Sequence, residues 1–237
     1  MRIPLVLIAA FALLSAAEPT MPDLLIHAKD RVLFEGDSLT DGLRNNYGRM
    51  EAWDRTWAHR TDEWLFAHRP DLDLECRNLA VGGSSAKTLL GRVDAAMAFK
   101  PTVVLLTIGT NDAIMKVPVE TFSEQFTAWC ERLRAAGCRR IIHVGGFPPC
   151  PNVDDETRSI LARCAPYWVA AQQVVEARGG IAIDVAPYLL PRVAALDRRW
   201  KHHTVYSSGV HYNALGNELI AGAVLTSLGL MTVPGMP

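Results

Sequence analysis

The sequence predicts an α/β fold of the doubly wound type, in which helices cover both faces of a five-stranded parallel sheet. The first observation behind this prediction is a set of short, near-continuous apolar runs, which are typical of strands buried on both faces. The second is that helical patterns separate these runs along the chain. The four runs are Val32–Phe34, Val103–Ile108, Ile141–Val144 and Ile181–Ile183.

A fifth segment, between Asp71 and Leu79, has a different pattern and predicts the edge of the sheet. Its apolar residues alternate with charged ones, so one face of the strand is exposed to water. An exposed second strand fits the sheet order 2-1-3-4-5, the flavodoxin-like three-layer sandwich. The apolar positions are Leu72, Leu74 and Cys76, and the charged ones are Asp73, Glu75 and Arg77.

Apolar residues at helical spacing predict amphipathic helices between the strands. The tryptophans after the first strand are interpreted as a core stripe rather than as an aromatic platform for substrate. Pro166 predicts a kink or a helix start, and a last helix is expected from about residue 213 to about residue 228. The three stripes are Trp53, Trp57, Trp64 and Leu65; Leu89, Leu90, Val93 and Met97; and Phe122, Phe126, Trp129, Cys130 and Leu133.

Length and composition predict one globular domain. The chain has 237 residues, of which 49% are hydrophobic, and we place the domain at residues 31–230, between a lead-in at 18–30 and a tail at 231–237. The formal net charge is −1, and no long run of like charge occurs. The charge pattern therefore gives no reason to expect nucleic acid or an anionic membrane surface as a partner, and it leaves the oligomeric state open.

The first 17 residues have the pattern of a secretory signal peptide. Arg2 precedes an apolar stretch, Ile3–Leu14, and the small residues Ser15, Ala16 and Ala17 follow it. Because the stretch is too short to span a bilayer comfortably, cleavage after Ala17 is favoured over an uncleaved anchor. We therefore expect a secreted or periplasmic protein with no stable membrane insertion after cleavage.

The five cysteines form no recognisable metal-binding motif, and no metal is expected. Cys76 and Cys130 fall on apolar faces, which predicts core residues. Export permits disulfides, and Cys150 and Cys164, near one loop, are candidates for a pair. Because the number of cysteines is odd, at least one thiol must remain outside any disulfide within the chain.

Four short motifs carry the chemistry. The first directly follows the first predicted strand, and ligands of open α/β sheets bind at the carboxyl ends of strands. The others fall at similar places later in the chain. Together they resemble the four sequence blocks of the GDSL, or SGNH, hydrolase family over residues 31 to about 220. The motifs are Gly36-Asp37-Ser38-Leu39, Gly82-Gly83, Gly109-Thr110-Asn111-Asp112 and Gly209-Val210-His211.

The resemblance implies a fold of the SGNH-hydrolase type and gives roles to four residues. Ser38 would be the nucleophile, and His211 the general base, since an imidazole with an unperturbed pKa of ~6.5 suits proton transfer at neutral pH. The backbone N–H groups of Ser38 and Gly83 and the side-chain amide of Asn111 would form the oxyanion hole. The structural alternatives are a helix N-cap for Ser38, a tight turn for Gly83 and an Asx-turn for Asn111.

The chain departs from the family pattern at two positions. Ala80 stands where the second block usually has its first glycine, and Ser208 stands where an aspartate usually orients the histidine. That acid normally stabilises the charged imidazole. The orienting group for His211 could be a backbone carbonyl near Tyr206–Gly209, the Ser208 hydroxyl, or Asp184 at the end of the fifth strand. A crippled site is the remaining alternative.

Two rival assignments are disfavoured. His202 and His203 lie in a basic stretch that we expect to be solvated, so they are weaker candidates for the base. The segment Gly82–Ala86 approximates the G-x-S-x-G elbow and, with Asp184 and His211, would match an α/β-hydrolase order. This elbow lacks its final glycine, and it would leave the first and third motifs unexplained.

The resemblance implies an exported esterase that needs no cofactor and forms an acyl-enzyme on Ser38. Short acyl or O-acetyl esters, including those on carbohydrate, are the favoured substrates. The loop Asp41–Met50 and the turn Gly145–Pro151 are expected to wall the pocket. The alternatives are a lysophospholipase or thioesterase of the same family, and a binding module weakened in catalysis by Ser208.

Overall fold

The computed structural model describes residues 25–42, 56–199 and 204–232, and its centre is a five-stranded parallel sheet. The strands pair in the order β2-β1-β3-β4-β5, which confirms the predicted order. Side chains of β1, β3 and β4 are almost all buried, whereas β2 alternates between exposed and half-buried positions, as predicted for the edge. The strands are β1 Arg31–Gly36, β2 Glu75–Asn78, β3 Val103–Thr107, β4 Arg140–Gly145 and β5 Ile181–Asp184.

Helices cover both faces of the sheet. One group, α2, α8 and α9, packs together, and a second group forms around α6 and α7. A two-stranded antiparallel hairpin, β6 Tyr206–Ser208 and β7 His211–Tyr212, precedes the last helix. The helices are α1 Ser38–Asp41, α2 Trp57–His68, α3 Ala86–Gly91, α4 Val93–Phe99, α5 Thr110–Ile114, α6 Val119–Ala135, α7 Asp155–Glu176, α8 Ala186–Arg199 and α9 Ala214–Ser227, with a 3₁₀ turn at Pro70–Leu72.

The predicted apolar stripes lie in the core. All five residues of the α6 stripe are buried. Trp57 and Leu65 on α2 are buried as well, and the Trp57 ring meets that of Phe34 edge to face with centroids 5.9 Å apart. The interpretation of these α2 residues as core is therefore confirmed, while Trp53 lies outside the described residues. The stripe after Gly83 forms two helices, α3 and α4, rather than one.

Two sequence expectations in this region are wrong: a helix start at Pro166 and a Cys150–Cys164 pair. Pro166 does not start a helix, because α7 begins at Asp155 and continues through the proline. The missing N–H of Pro166 leaves one carbonyl without its helical partner, that of Ala162, which is an exposed residue of the helix. Cys150 and Cys164 do not pair, and all five cysteines are free thiols. The Cys164 thiol contacts the carbonyl oxygen of Thr110, and that of Cys150 contacts the carbonyl oxygen of Pro148.

Candidate active site

The turn that carries Ser38 is fixed against the neighbouring strand. Gly36 has φ +119°, and a Cβ there would lie 2.0 Å from the carbonyl oxygen of Thr107. Only glycine permits this approach of β1 to β3. Asp37 then caps α1: its Oδ1 accepts hydrogen bonds from the Leu39 amide at 3.0 Å and the Thr107 hydroxyl at 2.9 Å. This capped turn places Ser38 in the first turn of a helix at the carboxyl end of β1.

Asp37 itself is a structural residue. It is completely buried, and this desolvation raises its pKa to about 6, although the hydrogen bonds from Thr107 and Leu39 act in the opposite direction. A carboxyl group sealed inside the turn is not available to substrate. We interpret Asp37 as the residue that holds the geometry of Ser38.

Ser38 and His211 are brought together from opposite ends of the chain. The His211 Nε2 lies 2.9 Å from the Ser38 Oγ, and both residues are half-buried. His211 begins β7, directly before α9, whose first turn is capped by the Asn213 side chain accepting from the Gly216 amide at 2.9 Å. The side-chain amide of Asn217 donates to the Tyr212 carbonyl at 3.0 Å, which fixes the hairpin on the helix.

Two backbone amides beside this pair are available as donors. Within the described ranges, the N–H groups of Ser38 and Gly83 donate to no other group. Gly83 has φ +82°, it is exposed, and a Cβ there would meet nothing within 4 Å. An oxyanion hole requires N–H groups that are not already bonded to another acceptor.

Asn111 is the third predicted donor and lies beside the same loop. It is the second residue of α5, after β3, and its Nδ2 donates to the Ser84 carbonyl at 3.0 Å. Because an amide nitrogen carries two protons, one N–H remains for another acceptor. The next residue, Asp112, is buried and accepts from the Ala86 amide at 3.1 Å, and burial raises its pKa to about 6. These contacts join α5 to the loop that carries Gly83.

The loop after β2 is also tied to α1. The Gly82 amide donates to the Asp41 carboxylate at 3.0 Å, and the Val81 amide donates to the Gly36 carbonyl at 3.2 Å. The Asn78 side chain donates to the Thr40 carbonyl at 3.1 Å. The Gly83 amide is therefore held relative to Ser38 by contacts on both sides.

Sequence reasoning missed Arg92, which connects the same elements. Its guanidinium donates to the Ser84 Oγ at 2.6 Å and the Gly36 carbonyl at 2.9 Å, and it pairs with the Glu35 carboxylate at 3.2 Å. Glu35 is buried, which raises its pKa to about 7, while Arg92 acts to lower it. No sequence motif marks this role, because the role depends on contacts between distant segments; Arg92 and Glu35 are 57 positions apart.

The elbow-like serine has no free hydroxyl. Ser84 is buried, and its Oγ donates to the Val81 carbonyl at 2.6 Å while it accepts from Arg92. With both hydrogen-bonding roles filled, the hydroxyl is a structural tie of the loop. This agrees with the preference for Ser38 as the candidate nucleophile.

The two residues proposed to orient His211 differ in their placement. Ser208 is the cross-strand partner of His211 in the β6–β7 hairpin, although its side chain lies outside the described part of the structure. Asp184 is exposed at the end of β5, where its Oδ1 accepts from the Ala186 amide at 2.9 Å. The rival bases His202 and His203 lie outside the described residues.

A small cavity lies beside Ser38 among the described residues. A cavity of about 20 Å³ lies there, formed between α1 and the residues at the start of α9. Residues 43–50 of the first predicted wall lie outside the described residues. Gly145 and Gly146, from the other predicted wall, line a separate cavity. The cavity at Ser38 is lined by Ser38, Leu39, Gly42, Thr56, His211, Tyr212 and Asn217.

Within 25–42, 56–199 and 204–232, no three His, Cys, Asp or Glu side chains gather where they could hold a metal ion. In the same ranges no helix is long and apolar enough to cross a bilayer.

The sequence matches a family of known proteins over most of its length. Residues 34–219 match the model of the GDSL-like lipase/acylhydrolase family, which confirms the resemblance. No curated protein matches the sequence. Three similar solved structures superpose on 89% of this chain. The superposition covers all of the first two structures described below (100% each) and 99% of the third.

The similar structures come from bacterial and metagenomic sources. LAE5, an alpha/beta hydrolase enzyme from the metagenome of Lake Arreo, Spain, is 20% identical with a TM-score of 0.70. A putative GDSL-like lipase from Parabacteroides merdae ATCC 43184 is 21% identical with a TM-score of 0.69. Axe2, an acetylxylan esterase from Geobacillus stearothermophilus, is 19% identical with a TM-score of 0.69. At these identities the likeness establishes a shared fold.

Proposed function

The chain belongs to the GDSL-like lipase/acylhydrolase family, whose members are carboxylic ester hydrolases, and on this premise we propose that it cleaves short acyl esters through an acyl-enzyme on Ser38. The observation that carries the proposal is the 2.9 Å contact between the Ser38 Oγ and the His211 Nε2. A nucleophile within hydrogen-bond distance of a base is the arrangement that covalent catalysis needs.

Each half of the reaction uses the same groups. His211 removes the hydroxyl proton as the Ser38 Oγ attacks the ester carbonyl, and the negative charge develops on the carbonyl oxygen. The N–H groups of Ser38 and Gly83 and the free N–H of Asn111 bind this oxygen. His211 then gives its proton to the departing alcohol. A water molecule, deprotonated by His211, attacks the acyl carbonyl, and Ser38 leaves with the proton restored.

The sequence pattern of an exported family member favours a short acyl or carbohydrate ester. We propose O-acetyl esters, including those on carbohydrate, as the substrate class. The predicted signal peptide, residues 1–17, supports action outside the cytoplasm, and it lies outside the described residues. Axe2 is an acetylxylan esterase, which agrees with this class without establishing it.

The test is hydrolysis of p-nitrophenyl acetate by the mature chain. Ser38→Ala should abolish turnover, whereas the matched variant Ser84→Ala should retain most of it, because Ser84 serves as a loop contact. A serine-directed phosphonate should label Ser38, as read by mass spectrometry. A binding module would give neither turnover nor labelling in the wild type. Loss of activity in Ser84→Ala alone would favour the elbow assignment.

A further inference from the structure

Two buried tyrosines lie in the hairpin that carries His211. Tyr206 on β6 and Tyr212 on β7 are cross-strand partners, and Tyr212 directly follows His211 in the chain. The two residues are 7% and 5% exposed, and their ring centroids are 4.6 Å apart. The proposed ester hydrolysis uses neither hydroxyl group, so these two buried polar groups need another explanation.

The hydrogen bonds of the two hydroxyl groups run in one direction. The Tyr206 hydroxyl lies 2.6 Å from the carbonyl oxygen of Pro148, and because a carbonyl can only accept, Tyr206 donates its single proton there. The two tyrosine oxygens are 3.0 Å apart, so Tyr212 is the donor of the bond between them. Burial raises the pKa of both tyrosines, and both hydroxyl groups keep their protons at neutral pH. The bonds thus form a chain from Tyr212 through Tyr206 to the backbone at Pro148.

The loop that carries Pro148 is packed into the core. It connects β4 to α7, and its residue Phe147 is 2% exposed. The Phe147 ring meets that of Trp168 on α7 edge to face at 5.2 Å and lies 5.7 Å from the Tyr212 ring. The Cys150 thiol contacts the same Pro148 carbonyl. The tyrosine hydroxyl groups therefore tie the hairpin to a firmly packed part of the molecule.

A second set of contacts fixes the hairpin on α9. A Cβ on Gly216 would lie 2.6 Å from the Tyr212 Cδ1 and 2.4 Å from the Val205 carbonyl oxygen, so only glycine permits this approach. The hairpin is therefore held by two separate elements, α9 and the loop between β4 and α7. His211 precedes Tyr212 in β7, and its Nε2 lies 2.9 Å from the Ser38 Oγ.

We propose that Tyr206 is a positioning residue for His211. Its hydroxyl group holds the hairpin against the Pro148 carbonyl and so keeps the imidazole beside the Ser38 Oγ. Tyr206 acts through the backbone of the hairpin and takes no proton in the reaction. A hairpin held in this way can fix the histidine although position 208 carries serine in place of the usual aspartate. The effect on catalysis rests on the proposed hydrolysis, whereas the hold on the hairpin is measurable without substrate.

The experiment compares steady-state hydrolysis of p-nitrophenyl acetate by the mature wild type and two phenylalanine variants. Tyr206→Phe removes the middle hydroxyl and breaks both bonds, whereas Tyr212→Phe removes the first donor and leaves the bond to Pro148. We expect kcat to fall about tenfold or more in Tyr206→Phe with KM nearly unchanged, because small displacements of a catalytic group have effects of this size. Tyr212→Phe should lower kcat less.

Two control variants separate positioning from a loss of stability. Tyr188→Phe removes the hydroxyl of a half-buried tyrosine on α8 and should leave kcat unchanged. Leu133→Ala opens the core near the end of α6 and should lower the unfolding temperature at least as much as Tyr206→Phe does. This end of α6 leads to the start of β4, at the opposite edge of the sheet from Ser38, so kcat of the folded variant should stay close to that of the wild type.

Hydrogen exchange followed by mass spectrometry measures the hold on the hairpin without substrate. In Tyr206→Phe, peptides that cover residues 205–213 should exchange their amide hydrogens about fivefold faster, the effect of one hydrogen bond of ordinary net strength on local opening. Peptides from α6 should exchange at the wild-type rate in the same variant.

A lower kcat together with faster exchange in the hairpin supports the proposal. An unchanged kcat in Tyr206→Phe overturns it, and so does a lower kcat without faster exchange. A loss of kcat in Leu133→Ala as large as that in Tyr206→Phe would trace the effect to stability and would also overturn it. A wild type without esterase activity would contradict the proposed hydrolysis, and the exchange rates would then decide alone whether Tyr206 holds the hairpin.

Discussion

Arg92 donates a 2.6 Å hydrogen bond to the hydroxyl of Ser84, the residue next to the Gly83 amide. The same guanidinium donates to the carbonyl of Gly36, two positions before Ser38. One side chain therefore spans the two segments that supply the predicted backbone donors for the oxyanion. We infer that Arg92 is a positioning residue for the proposed reaction.

Arg92→Lys should lower kcat by up to about 10²-fold with little change in KM, because it loosens the contact with the Gly36 carbonyl near Ser38, which Ser84→Ala leaves in place. Small misplacements of catalytic groups have effects of this size. Lysine keeps the charge beside Glu35 but lacks the planar fork that reaches several acceptors. The measurement is steady-state hydrolysis of p-nitrophenyl acetate. Arg132→Lys is the matched control, since Arg132 makes an exposed ion pair with Asp94. Equal kinetics of the two variants would show that Arg92 has no positioning role.

Asn111→Ala should reduce kcat by about 10²–10³-fold, the usual effect of removing one oxyanion donor. The Asn111 side chain also donates to the Ser84 carbonyl, so a loop displacement could contribute. Asn111→Asp separates these effects, because it keeps the size and places an acceptor where the oxyanion forms. Activity of Asn111→Asp close to that of the wild type would contradict the donor role.

The hydrophobicity pattern predicted the sheet because each buried strand and each helical stripe is determined by residues that are close together in the sequence. The β2 edge, the α6 stripe and the start of α9 agree with the structure for this reason. The roles of Arg92 and Ser84 were not predictable, since they arise from contacts between distant segments. Pro166 shows the same limit: the packing of α7 on its neighbours outweighs the local preference of one residue.

His143 should make stability depend on pH in a window set by its two pKa values. The pKa falls from 6.5 in the unfolded chain to about 4 in the fold, so the unfolded state binds more protons between these values. The contribution of His143 to the free energy of unfolding is fully present above pH 6.5. It is lost as the pH falls, and the loss reaches about 3 kcal/mol at about pH 4.

The carboxyl groups of Glu35, Asp37 and Asp112 act in the opposite sense, because their pKa values are raised in the fold. The informative quantity is therefore the difference between wild type and His143→Gln in the free energy of unfolding by urea. This difference should change by about 3 kcal/mol between about pH 7 and about pH 4. Gln173→Ala, at an exposed residue with no ionisable group, is the control and should show no such trend. A flat difference for His143→Gln would contradict burial of a neutral ring.

Asp184→Asn should alter esterase activity only modestly. The β5 strand is separated from β1 by β3 and β4, which puts their axes about 14 Å apart at about 4.8 Å per strand. The Asp184 carboxylate also holds the amide of Ala186 at the start of α8. If Asp184 were the displaced acid of the triad, the same change should cost on the order of 10⁴-fold in kcat. Steady-state kinetics at neutral pH separates the two cases.

Ser208→Asp should leave activity unchanged or raise it. Ser208 and His211 are cross-strand partners in the β6–β7 hairpin, and side chains at such positions are neighbours. A carboxylate at position 208 would favour the charged imidazole, as the usual acid of the family does. The limb of the pH–activity profile governed by the base should therefore move to higher pH.

The matched control is Ser159→Asp, an exposed position on α7 away from the hairpin. It should leave the pH profile in place. A large loss of activity in Ser208→Asp, with the hairpin intact by thermal unfolding, would mean that the site cannot hold a charge beside His211. The orienting group would then be the local backbone, and the pair Ser38–His211 would act as a dyad with no acidic third member.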